Sequence, residues 1–188
     1  VSGQEHTIVI RSEFLLGGPT TGQRPEALFA HIPGLRVAIP STPHDAYGLM
    51  LTALKSPGVT LFFEDRMIQD DDFPGEEDRR LDGAIAFGSS LWRFKGQRGG
   101  VTVVSYGVMR QTVERILREW HGDLYTEPSL AADLLDLRTI YPVDFGGIKK
   151  MVERTGKLLI IEPDVQYGGG GAEIAATIAE ELPWVRIR

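Results

Sequence analysis

The sequence predicts an α/β fold of two layered αβα domains with mainly parallel sheets, and three observations predict it. Short β-branched runs alternate with segments of helical period along most of the chain. Strand and helix alternating at these lengths imply parallel strands joined by right-handed crossovers. The alternation breaks once, at residues 65–82, where "DRMIQDDDFPGEEDRRLD" is dominated by charge and has no apolar period. That break reads as a surface linker between two halves.

Taken in order, residues 7–11 (TIVIR), 36–39 and 59–63 read as buried strands. A short helix ending at His31 precedes the second of them. Between the second and third, "STPHDAYGLMLTALKSPG" offers Ser41 or Thr42 as N-cap, Pro43 in the first turn and Asp45 near the positive helix end. Pro57-Gly58 stops that helix, and Leu49, Met50, Ala53 and Leu54 give it one apolar face. Beyond the charged segment, 101–106 reads as a strand, and 109–120 as a helix with Val113, Ile116, Leu117 and Trp120 on one stripe. Residues 132–137 and 158–161 are further strands, separated by a helix that opens at Pro142 and Asp144 and stops at Gly156. A last helix over 172–182 follows four glycines and repeats Ile174, Ile178 and Leu182 every fourth residue; 184–187 starts another strand.

Composition narrows the function classes. With 188 residues, 42% of them hydrophobic, the chain can bury a normal core. A net charge of -6 argues against a basic nucleic-acid surface, which works by replacing counterions with Lys and Arg. Zero cysteines remove disulfides, thiolate nucleophiles and thiolate-bound zinc, and fit a reducing, cytoplasmic setting. No apolar run approaches the roughly 20 residues needed to span a bilayer, and no signal segment is visible, so no membrane partner is expected.

Motif chemistry by itself is sparse. The Gly168–Gly171 run before the last helix suggests an anion cradle, but it lies near the chain end instead of after the first strand, and tight turning with close packing explains it equally. His6, His31, His44 and His121 show no i, i+4 pair and no ligand spacing. Asp70, Asp71 and Asp72 are adjacent and read as solvated linker, not a cation site. No metal ligands are assigned.

The stretches "PEALFAHIPGLRVAIPSTPHDAYGLMLTAL" (25–54) and "LFFE" (61–64), followed by "VTVVSYG", "DLLDLRTIYPVD", "RTGKLLII" and "GGGGAEIAATIAEE" in that order, resemble the beta subunit of the thiamine-diphosphate-dependent 2-oxo acid dehydrogenases. This is the decarboxylating component of pyruvate and branched-chain type, within the transketolase superfamily. The resemblance implies that residues 1–65 are the C-terminal half of a pyrimidine-binding domain, 66–82 a charged linker, and 83–188 a domain of transketolase C-terminal type. It implies thiamine diphosphate and magnesium in the full assembly, held by residues outside this chain: the cofactor-activating glutamate lies upstream, and the diphosphate-and-magnesium motif belongs to an alpha-type partner. The implied partners are that alpha-type subunit, a second beta-type subunit and a lipoyl acyltransferase core, with this fragment inactive alone.

The resemblance also marks departures. Where the family carries a histidine in the loop before "PEALF", this chain reads Gly18-Pro19-Thr20-Thr21-Gly22-Gln23. Gln23 matches, while Thr21 or Gly22 takes the histidine's place, and threonine does not titrate near neutrality. Thr21 and Gln23 are therefore the candidate catalytic positions. Some family members bind potassium at positions corresponding to Ile8, Ala53, Ser56 and Gly58, with an aspartate that Ser56 does not supply. Glu162 stands where the family has a His-Glu pair. Two other readings follow: a non-catalytic docking relative of the same fold, or a transketolase-like transferase, for which Arg24 and Arg138 are the candidate phosphate ligands.

Overall fold

A computed structural model describes residues 6–14, 23–69, 83–94, 100–121 and 132–188. The chain runs β1 (Thr7–Phe14), α1 (Glu26–Ala30), β2 (Leu35–Ala38), α2 (Pro43–Lys55), β3 (Gly58–Asp65), α3 (Arg66–Gln69), β4 (Leu91–Phe94) and β5 (Val101–Ser105). It continues α4 (Gly107–His121), β6 (Ala132–Asp136), β7 (Thr139–Tyr141), α5 (Phe145–Thr155), β8 (Lys157–Ile161), α6 (Gly170–Glu181) and β9 (Arg186–Ile187).

Two sheets form, in the orders β1-β3-β2-β7 and β4-β6-β5-β8-β9. All pairings are parallel except β2 with β7 and β4 with β6, so the α/β fold with mainly parallel sheets is what the chain adopts. The two antiparallel strands have no clear sequence signal: "TIY" is three residues long, and "LWRF" is flanked by charge. Strand β7 follows β6 of the second sheet yet pairs with β2 of the first, stitching the sheets together. Residues after the charged segment also return to the first sheet: Ile85 donates its N–H to the Gly48 carbonyl (2.9 Å), and Thr52 Oγ1 donates to the Ile85 carbonyl (2.6 Å). The segment read as linker begins as α3, with Ile68 buried; residues 70–82, including the three aspartates, lie outside the described residues.

The helix ends obey local rules. Thr42, with extended φ and ψ, accepts the Asp45 N–H (3.1 Å) and donates to the Asp45 carboxylate (2.9 Å), and Pro43 follows in the first turn. Asp144 caps α5 through the Gly147 N–H (2.8 Å), and Gly156 ends that helix at φ 73°, a left-handed conformation glycine adopts without steric penalty.

One apolar core spans both sheets: Val37, Ile39, Leu61 and Phe63 from the first pack with Val104, Tyr106 and Leu135 from the second, closed by Ile148 and Met151 of α5 and Ile174 and Ile178 of α6. Full burial of each such side chain stabilises by about 1.5–3 kcal/mol. A polar lock lies beside it. Ser41 donates to Asp136 (2.8 Å) and accepts the Gly107 N–H (2.8 Å); Asp136 also holds Arg110 (3.0 Å), which pairs with Glu114 (2.6 Å). Arg138 forms an ion pair with Asp45 of α2 (2.7 Å).

Arg138 is buried at φ 62°, in the left-handed region where a Cβ is unfavourable. Arg138→Ala leaves Asp45 buried without its cation and is expected to destabilise by about 3–5 kcal/mol in urea unfolding. Arg138→Gly removes the backbone strain as well and is expected to cost about 1 kcal/mol less. Equal losses for the two variants would remove the strain argument.

Candidate functional site

Parallel strands present their C-terminal ends on one side, and in α/β folds ligands bind there. Here the ends of β1 and β3 meet the residues that follow β5 and β8. A Cβ placed on Gly107, just after β5, would stand 3.7 Å from Asp65 at the end of β3 and 4.0 Å from Arg24 Nη2. Gly107 itself takes φ 55°, a left-handed conformation that glycine adopts without steric penalty.

Arg24 is the centre of the first half of the site. Its guanidinium lies over the Phe14 ring (4.1 Å), which stacks on Phe63 (4.6 Å), and it is held by Glu26 Oε1 (2.9 Å) and Asp65 Oδ2 (3.1 Å). All three charged side chains are buried. Arg24 Nη2, Glu26 Oε2 and Asp65 Oδ1 have no hydrogen-bond partner among the described residues. Burial raises the Glu26 carboxyl above its ordinary range, against the attraction of Arg24.

Glu162 is the centre of the second half. Its Oε2 accepts the Gly171 N–H at the first turn of α6 (2.8 Å) and the Tyr106 hydroxyl (3.1 Å). A Cβ on Gly171 or on Gly169 would stand 2.7 Å from Glu162 Oε1, so the glycine run makes room for this carboxylate. The glycine cradle read from the sequence thus holds an anion from its own chain. Burial raises Glu162 and Asp164, and burial reinforced by Glu162 raises the Tyr106 phenol well above its ordinary value.

Of the candidate catalytic positions, Gln23 is exposed and leads directly into Arg24, while Thr21 lies outside the described residues. Arg24 and Arg138 are each paired with buried carboxylates, which leaves neither free for a phosphate. Ile8, Ala53, Ser56 and Gly58 do come together at the junction of α2, β1 and β3: Thr7 Oγ1 donates to the Ser56 carbonyl (3.2 Å), and Gly58 N–H donates to the His6 carbonyl (2.8 Å). They do not fit a potassium ion. The Ala53 carbonyl accepts the Ser56 N–H (3.3 Å), and the Ser56 carbonyl accepts Arg36 Nη2 (3.2 Å), which places a fixed positive charge on the Ser56 oxygen. Among the described residues no three His, Asp or Glu converge as a metal centre.

Sequence reasoning missed Glu26, Asp65 and Tyr106 as site residues. Carboxylates are rarely fully buried unless paired, and the pairing of Arg24 with Asp65 spans 41 positions. Only the short Arg-Pro-Glu spacing gave a local sign.

Outside α1 runs a groove of 840 Å³ lined in part by Leu28, His31, Ile140, Tyr141 and Phe145. Leu28 is 68% exposed. Ile8 and Ile10 on the edge strand β1 are half-exposed as well.

Facing strand ends on two mainly parallel sheets, with a glycine-cradled carboxylate beside them, define a layered α/β protein. The family models agree: residues 92–187 match the transketolase C-terminal domain and residues 16–69 the transketolase pyrimidine-binding domain, and the chain belongs to that family. It is similar to the beta 2 subunit of the mitochondrial 2-oxoisovalerate dehydrogenase of Arabidopsis thaliana, 33% identical over 87% of this chain and 43% of that protein. The 2-oxoisovalerate dehydrogenase beta subunit of Bacillus subtilis is 32% identical over 92% of this chain and 51% of that protein. The pyruvate dehydrogenase E1 beta subunit of Staphylococcus epidermidis is 30% identical over 82% and 45%. The chain spans about half the length of these curated relatives. A solved split-gene transketolase, described as an inactive beta4 tetramer, shares the fold with a TM-score of 0.79 at 18% identity, covering 97% of this chain and 56% of that one.

A carboxyl whose folded pKa is raised holds its proton more tightly when folded. Its ionisation therefore opposes folding above that folded pKa, and the penalty fades as pH falls towards the ordinary value of 4.5. Glu26→Gln, which mimics the protonated form, is expected to raise the melting temperature near neutral pH, with the gain shrinking as pH approaches 4.5. A loss of stability at neutral pH, measured by thermal unfolding across pH, would show that the Arg24 attraction dominates.

Proposed function

We propose that the chain is a beta-type component of a 2-oxo acid dehydrogenase that works with an alpha-type partner, decarboxylating a 2-oxo acid and passing the acyl group to a lipoyl arm. The observation that carries this reading is the similarity of the chain, over more than four-fifths of its length, to beta subunits of 2-oxoisovalerate and pyruvate dehydrogenases. In such an assembly bound thiamine diphosphate supplies the sink for the electron pair released with carbon dioxide.

The strand-end residues are suited to forming one wall of that site and not to holding the cofactor alone. Glu26 and Asp65 are occupied by Arg24, and Glu162 by Tyr106 and Gly171. The family resemblance assigns diphosphate and magnesium to the partner subunit. The buried Arg24 node fixes the backbone at the start of α1, and Gln23, exposed beside it, offers an amide to a bound acid or acyl group. Subunit contacts have exposed apolar surface to use, at Leu28 and Tyr141 by the groove and at Ile8 and Ile10 on β1. Division into a pyrimidine-binding half over 1–65, a linker over 66–82 and a C-terminal-type domain over 83–188 belongs to the same reading.

Thr21 or Gly22, in place of the family histidine, favours a second reading: a docking relative that has lost its chemistry. The transketolase-like transferase reading loses its phosphate ligands, because Arg24 and Arg138 are buried in ion pairs.

The deciding experiment mixes the chain with the alpha-type subunit of the same organism, thiamine diphosphate, magnesium and a panel of branched and unbranched 2-oxo acids. Carbon dioxide release is expected from the mixture and not from the chain alone. Complex formation without release across the panel would favour the docking reading. In an active mixture Gln23→Ala is expected to lower kcat/KM about five- to tenfold, the loss of one hydrogen bond worth about 1 kcal/mol.

A further inference from the structure

A guanidinium at the C-terminal end of α2 has no acidic partner. Arg36, on β2, donates from Nη2 to two backbone carbonyls, Ser56 at 3.2 Å and Pro57 at 2.7 Å, and from Nε to Thr60 Oγ1 at 3.0 Å. The Phe87 ring lies 5.5 Å from the guanidinium carbon. Among the described residues no carboxylate pairs with it, unlike Arg24, Arg110 and Arg138. The charge is instead compensated by carbonyl oxygens at the negative end of a 13-residue helix and by the face of an aromatic ring.

That is the electrostatic setting of a monovalent cation site with the cation supplied covalently. Nη2 donates to the Ser56 carbonyl, one of the positions at which a free ion would be ligated, and to the neighbouring Pro57 carbonyl. Thr7 Oγ1 adds a third donor, on the Ser56 oxygen, and ties the start of β1 to the same turn. Gly58 stands at φ 97°, where a Cβ would come within 3.4 Å of Arg36 Nη2, so the turn packs closely around the guanidinium. An added potassium ion would meet donors and a like charge where it needs acceptors.

We infer that Arg36 is the resident cation of the α2–β3 turn, fixing Ser56 and Pro57 against β1 and β2 and making this junction independent of potassium.

The test uses the full chain and its Arg36→Met variant, with thermal unfolding followed in potassium, sodium and choline chlorides at equal ionic strength. The unsubstituted chain is expected to melt at the same temperature in all three salts. Arg36→Met is expected to melt lower in choline chloride and to recover part of that loss selectively and saturably in potassium chloride. A saturable, potassium-selective rise in the unsubstituted chain overturns the inference, and so does an Arg36→Met melting temperature equal to that of the unsubstituted chain in choline chloride. If the variant does not fold, thallium(I) NMR of the unsubstituted chain decides: bound thallium displaced by potassium overturns the inference, and its absence supports it.

Discussion

The structure depends on charges that are buried because they are paired across the two sheets. Asp45 from α2 meets Arg138 from the turn before β7, and Ser41 links Asp136, Arg110 and Gly107. Taking such groups from water is costly, and each is tolerated only while its partner is in place. The lock therefore acts less as a source of stability than as a condition on it. An arrangement that moves one sheet relative to the other separates Asp45 from Arg138 and Ser41 from Asp136 and Gly107, which makes this one packing specific.

The same logic shapes the strand ends. Arg24 lies between Glu26, Asp65 and the Phe14 ring, while Glu162 fills the α6 N-terminus that the glycines leave open. Negative charge at a helix N-terminus is favourable, and here the chain provides it internally. Glu26, Asp65 and Glu162 thus hold the scaffold, while Gln23 beside them is exposed.

Cation placement follows a pattern across the molecule. Buried arginines at the sheet junction have carboxylate partners, whereas Arg36, nearer the surface, rests on backbone carbonyls and an aromatic face. Guanidinium is weakly hydrated and planar, so it serves both settings where lysine would demand more solvent.

The sequence by itself determined the alternation of strands and helices outside α3, β4 and β7, the mainly parallel architecture and several helix ends, because those depend on neighbours a few residues away: Thr42 accepting the Asp45 N–H, Asp144 accepting the Gly147 N–H, and Gly156 ending α5. It also carried the family resemblance through ordered local motifs. The strands "LWRF" and "TIY" were not legible, since a three- or four-residue antiparallel strand has too few positions to show a period. Nor were the partners of the charged residues. That Glu162 occupies its own glycine cradle, that Arg24 reaches Asp65, and that Arg36 sits on the Ser56 and Pro57 carbonyls were decided by tertiary structure alone. Electrostatic pairing in a folded chain depends on distance in space, and no local pattern encodes which charge will be brought beside which.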